Sequence, residues 1–359
     1  MGIYSLGLWI MGIGSLFSRL ILKNQKTIIY YIGAFVTISI LALRQYSVVG
    51  VDLLKYYRTY TMTSSMSLEE LVGIRDGSSL FYYLLCAIAS KIGIPYQLFV
   101  SLVGVFCGIV TWWFIYKYVK VPELGFLFYI GMGVYTFQFS GLKQSIAMAL
   151  LLICFDRFYR KQIARCAFFL LLATMFHPTA VVFVIFLCVS KIRVNKWIIL
   201  LYTAVFAAMF VMRMQIASTI TLLFSDEYVG KYQSSGSIGG MSIFLIILLG
   251  LYLFTQGSKI LIKDSLESQM TIMLMLAVVI QIFSSYAYSF TRLNLYFFQF
   301  MGIVASDIII SKRWALLAKR FHPIARAVVF AIISYVLILQ FGKQLELEVL
   351  TDYQFFWEI

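Results

Sequence analysis

Residues 165–191 read RCAFFLLLATMFHPTAVVFVIFLCVSK. Between Cys166 and Ser190 the one ionisable side chain apart from the two cysteines is His177, and Pro178 follows it. Proline has no N–H for the helical ladder and its ring clashes with the preceding turn, so one straight helix through this run is disfavoured. The flanks are basic: Arg157, Arg160, Lys161 and Arg165 before, Lys191, Arg193 and Lys196 after. Such clusters mark the cytoplasmic side of a membrane. With both flanks on that side, the run is predicted to form two short helices, 165–176 and 178–190, entering and leaving from the cytoplasm. His177-Pro178 is then the turn between them, a broken helix of the kind tolerated at membrane depth when protein surrounds it.

The same texture covers the whole chain. Of 359 residues, 62% are hydrophobic and 12% charged, with a mean hydropathy of +0.92. That leaves too little polar surface to wet the exterior of a soluble domain. The expected fold is all-α: a polytopic integral membrane protein with about 11–13 transmembrane or half-membrane helices in a single domain, residues 1–359. The candidate spans are 3–18, 27–43, 96–116, 123–138, 143–156, 165–176, 178–190, 197–214, 242–256, 269–289, 293–311 and 327–341. The first lacks the basic leader of a secretory signal and is expected to be retained. A net charge of +14 does not point to nucleic acid, because the basic residues sit in short clusters between apolar runs, as in loops facing anionic lipid. Cysteines 86, 107, 154, 166 and 188 lie inside apolar runs without a CxxC pair and read as buried small hydrophobes. The absence of GxGxxG, P-loop, HExxH and Cys/His clusters argues against a nucleotide-driven pump and a tightly bound transition metal.

All the strong basic clusters fall inside if the stretch 79–93 stays in the interface as a short helix. The outer face then receives the loop 44–95, the turns at 139–142, 177–178 and 290–292, the loop 225–241 and the acidic tail 342–359. The basic loop 312–326 is cytoplasmic, and Asp156 and Asp307 are expected to pair with nearby cytoplasmic cations.

This topology brings a few polar residues to one face. Arg44 directly follows a span, Gly50 permits close backbone approach, and Asp52 and Tyr56 lie one helical turn apart. Lys143 and Gln144 open an apolar helix, where the macrodipole disfavours a cation unless something offsets it. His177 is an intramembrane ionisable group and therefore a functional candidate. Arg292 is the only charge between Glu267 and Asp307, set among Tyr286, Tyr288 and Tyr296. Arginine suits bidentate contact with phosphate oxygens, and the aromatics serve either an interface belt or a sugar site. His322, in a basic loop, is assigned no role.

In order and spacing, Arg44…Gly50-Val51-Asp52…Tyr56, Lys143-Gln144-Ser145-Ile146-Ala147, the basic run 157–165, Phe176-His177-Pro178-Thr179-Ala180 and the late Arg292 resemble the EpsG-like, Wzy-type polysaccharide polymerases. The resemblance is closest over residues 27–190. Two positions depart from that pattern: Val51 stands where the family usually has Thr, and Lys143 where it usually has Arg, which keeps the charge and loses the fork.

The resemblance implies an enzyme of the bacterial cytoplasmic membrane with its site facing outward, compatible with a GT-C-like arrangement. It would transfer a growing glycan from undecaprenyl diphosphate onto the next lipid-linked repeat unit of a capsule, exopolysaccharide or O-antigen. A flippase and a chain-length regulator of the same pathway are implied as partners. Such a reaction needs fixed cations for the departing diphosphate and a base for the acceptor hydroxyl. Arg44, Lys143 and Arg292 are the cations expected to meet the diphosphate, with Gln144 and Tyr56 beside them; His177 and Asp52 are the candidate bases, His177 preferred because a neutral ring is cheaper to keep at membrane depth. No cofactor or metal is required if these cations hold the diphosphate. A flippase or exporter of the same lipid-linked sugars and a membrane O-acyltransferase are the alternatives. The former should show inverted halves, the latter would act on a polymer of unchanged length.

Overall fold

The computed structural model describes residues 3–6, 26–73, 79–224, 239–316, 322–347 and 353–358. Among them the regular structure is helical with no strand, and one antiparallel bridge joins Arg44 to Phe355. Helix is what these long unbroken apolar runs favour, because a helix satisfies its backbone polar groups in hydrocarbon within its own segment. Among the described residues four helices are long and apolar enough to cross a bilayer unaided: Tyr96–Tyr118, Gly240–Leu261, Leu266–Phe283 and Ala327–Glu346. Two bent pairs, Lys196–Val211 with Arg213–Thr219 (75°) and Ser289–Phe298 with Met301–Ile310 (53°), bring the number to six if each pair is one span. The chain is an all-α polytopic membrane protein.

The described residues form two compact units, one of residues 1–181 with 337–359 and one of 182–336. The first contains α1 (Lys26–Ala42), α2 (Leu53–Ser64), α3 (Leu68–Gly73), α4 (Leu80–Lys91), α5 (Tyr96–Tyr118), α6 (Pro122–Gly131), α7 (Val134–Phe137), α8 (Leu142–Tyr159) and α9 (Ile163–Phe176). Lipid tails are as apolar as leucine, so helices here are joined by close packing and hydrogen bonds rather than by escape from water. Gly104 and Gly108 on α5 show the first device: a Cβ on Gly108 would lie 2.7 Å from Ile38 and one on Gly104 3.2 Å from Leu41, so α1 can approach only because both are glycine. Thr37 shows the second, its hydroxyl accepting from the Trp112 indole at 3.0 Å and its carbonyl from the Tyr135 hydroxyl at 3.2 Å. Helices α8 and α9 fold into a hairpin through the turn at 160–162, with Lys161 at φ +59°. At the foot of that hairpin the fully buried Asp156 accepts from the Tyr118 hydroxyl at 2.7 Å, pairs with Lys117 and lies 3.3 Å from Arg160. This acid is paired with the basic cluster, as expected.

The second unit contains α10 (Phe183–Val189), α11 (Lys196–Val211), α12 (Arg213–Phe224), α13 (Gly240–Gln256), α14 (Leu266–Phe283), α15 (Tyr288–Phe298), α16 (Met301–Ile310) and the first part of α17 (His322–Leu347). Its glue is amide-rich. The buried Asn294 donates to the Ala277 carbonyl and the Gln281 side chain, both at 2.9 Å. Asp307 receives the Tyr252 hydroxyl at 3.4 Å, and Gln256 donates to its carbonyl at 2.9 Å.

Several expected boundaries move. The span 123–138 is interrupted between α6 and α7, and 197–214 is bent at Met212. The turn expected at 290–292 lies instead at 284–287, where the Ser284 and Ser285 hydroxyls take the carbonyls of Gln281 and Ile282 and end α14; Arg292 is therefore inside α15. Cys188 is exposed, unlike the other four cysteines, so it is not a buried hydrophobe. Helix α17 continues through Leu347, past the residue 342 at which the tail was expected to start. The first span beyond residue 6, Arg19, Lys23, most of the loop 225–241, residues 317–321 and Asp352 lie outside the described residues.

Candidate functional site

Helix α1 ends at Ala42, and two residues later the Arg44 side chain turns into protein. It is fully buried, donating to the Leu41 carbonyl and, at 3.3 Å, to the Gln138 carbonyl, with its guanidinium 5.3 Å from the Phe139 ring centre. Gly104 leaves the room it occupies. Burial pulls its pKa down to about 10, which leaves it charged at neutral pH. Arg44 thus ties the end of α1 to the 138–139 turn rather than standing at a surface.

The next residues dock onto the same turn. Gly50 has φ +107°, and a Cβ there would lie 2.3 Å from the Phe139 carbonyl oxygen. The Val51 N–H reaches the Ser140 hydroxyl at 3.3 Å. Asp52 is the residue preceding α2 and is half-buried; its carbonyl accepts the Tyr56 N–H at 3.1 Å, which sets Asp52 and Tyr56 one turn apart as expected. Rings carry the rest of this surface: Tyr46, Tyr57, Tyr60, Tyr96 and Phe99 form an edge-and-face cluster with centres 4.9–6.1 Å apart. The Tyr96 hydroxyl donates to the Leu53 carbonyl at 2.8 Å, which pins α2 to α5.

Lys143 is in the first turn of α8, half-buried, with its ammonium 5.9, 5.3 and 4.7 Å from the ring centres of Tyr56, Tyr82 and Tyr83. The negative faces of these rings offset part of what the helix dipole costs a cation at this end. Gln144 is buried beside it. The structure therefore brings together Arg44, Gly50, Asp52, Tyr56, Lys143 and Gln144 through the 138–141 turn. Tyr82, Tyr83 and Ser140 were not singled out from the sequence. The run Phe81-Tyr82-Tyr83 looks the same whether it lines a belt or faces a lysine, so nothing in the sequence carried the signal.

His177 ends α9 in extended backbone (φ −151°, ψ 113°), its N–H on the Ala173 carbonyl at 2.9 Å and its Nδ1 2.7 Å from the Thr179 hydroxyl. A short 3-10 helix, Pro178–Val182, follows, so the helix breaks where proline requires. The ring is half-buried, and the neighbouring Phe176 meets Phe81 of α4 at 6.1 Å. Arg292 belongs to the second unit, half-buried in α15 two residues before the Asn294–Gln281 network. Among the described residues no three His, Cys, Asp or Glu side chains come together as metal ligands.

No curated protein and no solved structure matches this chain. The model of the EpsG family matches residues 28–355, an interval that takes in the Arg44 segment, the Lys143 turn, the His177 break, Arg292 and the start of the C-terminal tail. The chain belongs to the EpsG family.

Proposed function

We propose that this protein polymerises a cell-surface polysaccharide at the outer face of a bacterial cytoplasmic membrane. The donor is a glycan on undecaprenyl diphosphate, and the acceptor is the next lipid-linked repeat unit. The acceptor hydroxyl oxygen attacks the donor's anomeric carbon, the bond from that carbon to the diphosphate oxygen breaks, and the lipid diphosphate leaves. The observation that carries this reading is the Lys143 ammonium walled by Tyr56, Tyr82 and Tyr83 on the turn where the Gly50–Asp52 segment docks. A cation with low-dielectric walls attracts a departing diphosphate far more strongly than one in water. Tyrosine faces beside it suit the apolar faces of sugar rings.

In this reading Arg44 acts by position, holding the turn from beneath through the Gln138 carbonyl. Arg292 is proposed as a further phosphate contact on family grounds. His177 is proposed as the base. The Thr179 hydroxyl lies 2.7 Å from Nδ1; in the tautomer whose Nδ1–H donates to it, Nε2 keeps the lone pair that would take the acceptor proton. Asp52 is the other carrier that could receive it, and the variants below separate the two.

The test is performed in cells deleted for the native gene and complemented with variants. Lys143→Ala is expected to cut polymer output by about a hundredfold, the usual effect of removing one charge-stabilising group. Single unextended repeats should still reach the surface, and Lys143→Arg should restore most of the chain length. His177→Ala is expected to cost at least about a hundredfold and Asp52→Asn far less. Wild-type polymer in Lys143→Ala cells would overturn the reading, and loss of all surface repeats would point to export instead.

A further inference from the structure

The C-terminal tail returns to the beginning of the chain. The Gln45 N–H donates to the Gln354 carbonyl at 2.8 Å and the Phe356 N–H to the Leu43 carbonyl at 3.0 Å, clasping Arg44 against Phe355. The Tyr353 hydroxyl reaches the Ile40 carbonyl at 2.8 Å. Between the two strands of chain lies an open cleft of about 480 Å³ lined by Gln45, Ser47, Val48, Gln354 and Glu358. That volume is within the range of small-molecule sites. The clasp and the cleft both lie in the first unit.

Its lining is unlike the rest of this apolar chain. Two planar amides, a hydroxyl and a carboxylate offer donors and acceptors side by side, and one valine provides an apolar floor. The Glu358 carboxylate is held in place, accepting the Phe355 N–H at 2.9 Å. In the same turn Trp357 stacks on Phe355 (centres 4.6 Å apart, planes 9° apart) yet stays 56% exposed. Trp357 is not among the cleft's lining residues but directly precedes Glu358, which is. Amide, hydroxyl and carboxylate groups side by side, with an exposed aromatic face one residue along the chain, are the chemistry that binds a pyranose: paired hydrogen bonds to vicinal hydroxyls and stacking on its C–H face.

We propose that this cleft is a saccharide subsite that holds a sugar of the glycan, with Gln45, Gln354 and Glu358 bonding its hydroxyls and Trp357 stacking on the ring. It disfavours an acidic sugar, because the fixed charge among its described lining residues is a carboxylate. The subsite rests on the polymerase reading for its substrate class and adds that the tail, rather than serving only as an anchor, binds substrate. Its place beside Arg44, which braces the Lys143 turn, puts a sugar-holding surface on the same scaffold as the proposed diphosphate contact.

The experiment uses the full-length protein in nanodiscs and, as probe, oligosaccharides of one to three repeat units released from the host's own polysaccharide by mild acid. Binding is followed by tryptophan fluorescence, with Trp357→Phe identifying the signal from this ring, and by calorimetry for variants that lack it. Trp357→Ala is expected to weaken binding by about tenfold, the scale of one stacked ring, and the pair Gln45→Ala/Gln354→Ala by about ten- to a hundredfold, the scale of two hydrogen-bonded groups. Trp357→Phe should bind within about threefold of wild type, because it keeps the stacking face. In cells the same variants should shorten chains while Lys143-dependent polymerisation persists. Unchanged affinity in both variants, with an unchanged size-exclusion profile, overturns the subsite. If Lys143→Ala leaves the polymer intact while the tail variants still lose oligosaccharide binding, the subsite stands and the polymerase reading falls.

Discussion

Replacing Gly50 with alanine should disable the protein at the point where its segment meets Phe139. Two costs add at this position. The backbone sits at φ +107°, where an L side chain is strained by about 1–3 kcal/mol. The new methyl would also lie 2.3 Å from the Phe139 carbonyl oxygen, so the segment must retreat by roughly 1 Å to reach ordinary van der Waals contact. That retreat stretches the Val51 N–H to Ser140 bond, now 3.3 Å, past any useful length and forfeits about 1 kcal/mol. Together these come to about 2–4 kcal/mol, a loss of docked segment of roughly thirty- to a thousandfold. Gly93→Ala is the control: it has φ +80° and nothing within 4 Å of its Cβ, so it suffers backbone strain alone. Polymer length in complemented cells and hydrogen exchange over residues 44–56 of the purified protein read the two variants side by side. Gly50→Ala should lose polymer and protection, and Gly93→Ala should keep most of both. Equal effects would refute the idea that contact with Phe139 sets the segment's position.

Asp156→Asn removes the carboxylate that serves Lys117, Arg160 and the Tyr118 hydroxyl. Because Lys117 and Arg160 are partly exposed, the expected loss is about 2 kcal/mol rather than that of a fully buried pair, read as a lower unfolding temperature in detergent with polymer linkage unchanged. Cys154 and Cys166 hold their sulfurs 3.3 Å apart across the α8–α9 hairpin. A thiol oxidant should therefore join them in detergent-solubilised protein, where maleimide should label the exposed Cys188 before either; labelling of Cys154 or Cys166 first would contradict the packing of that hairpin.

How much of this was legible beforehand depends on which force set each feature. The His177-Pro178 break is local, governed by a missing N–H, and the structure has it where the residues place it. The close approach at Gly50 is likewise local in cause, since only glycine accepts that conformation. The turn at 284–287 was hidden because two serine hydroxyls satisfying carbonyls three residues back can end a helix in an otherwise continuous apolar run. Nor could spacing distinguish tyrosines that wall Lys143 from tyrosines of an interface belt, because both ask for the same amphipathic ring at the same depth.

Arg44 makes the physical reason plainest. From its neighbours it reads as a boundary cation, since a span ends before it and a polar loop follows. Its actual surroundings come from three distant segments: the Gln138 carbonyl, the space left by Gly104 and the tail strand at Phe355. A guanidinium has five donors in a rigid fork, and in this apolar interior its two terminal nitrogens find acceptors while Nε has none among the described residues. The unpaired carbonyls available there belong to a helix end at Leu41 and a turn at Gln138, so the side chain is drawn inward to serve both. Lysine, with one flexible ammonium, cannot bridge two such carbonyls in a fixed plane. The charge at 44 therefore belongs to the scaffold and the charge at 143 to the surface it supports. In the proposed site, the arginine determines where the Lys143 turn stands, and Lys143 meets the diphosphate.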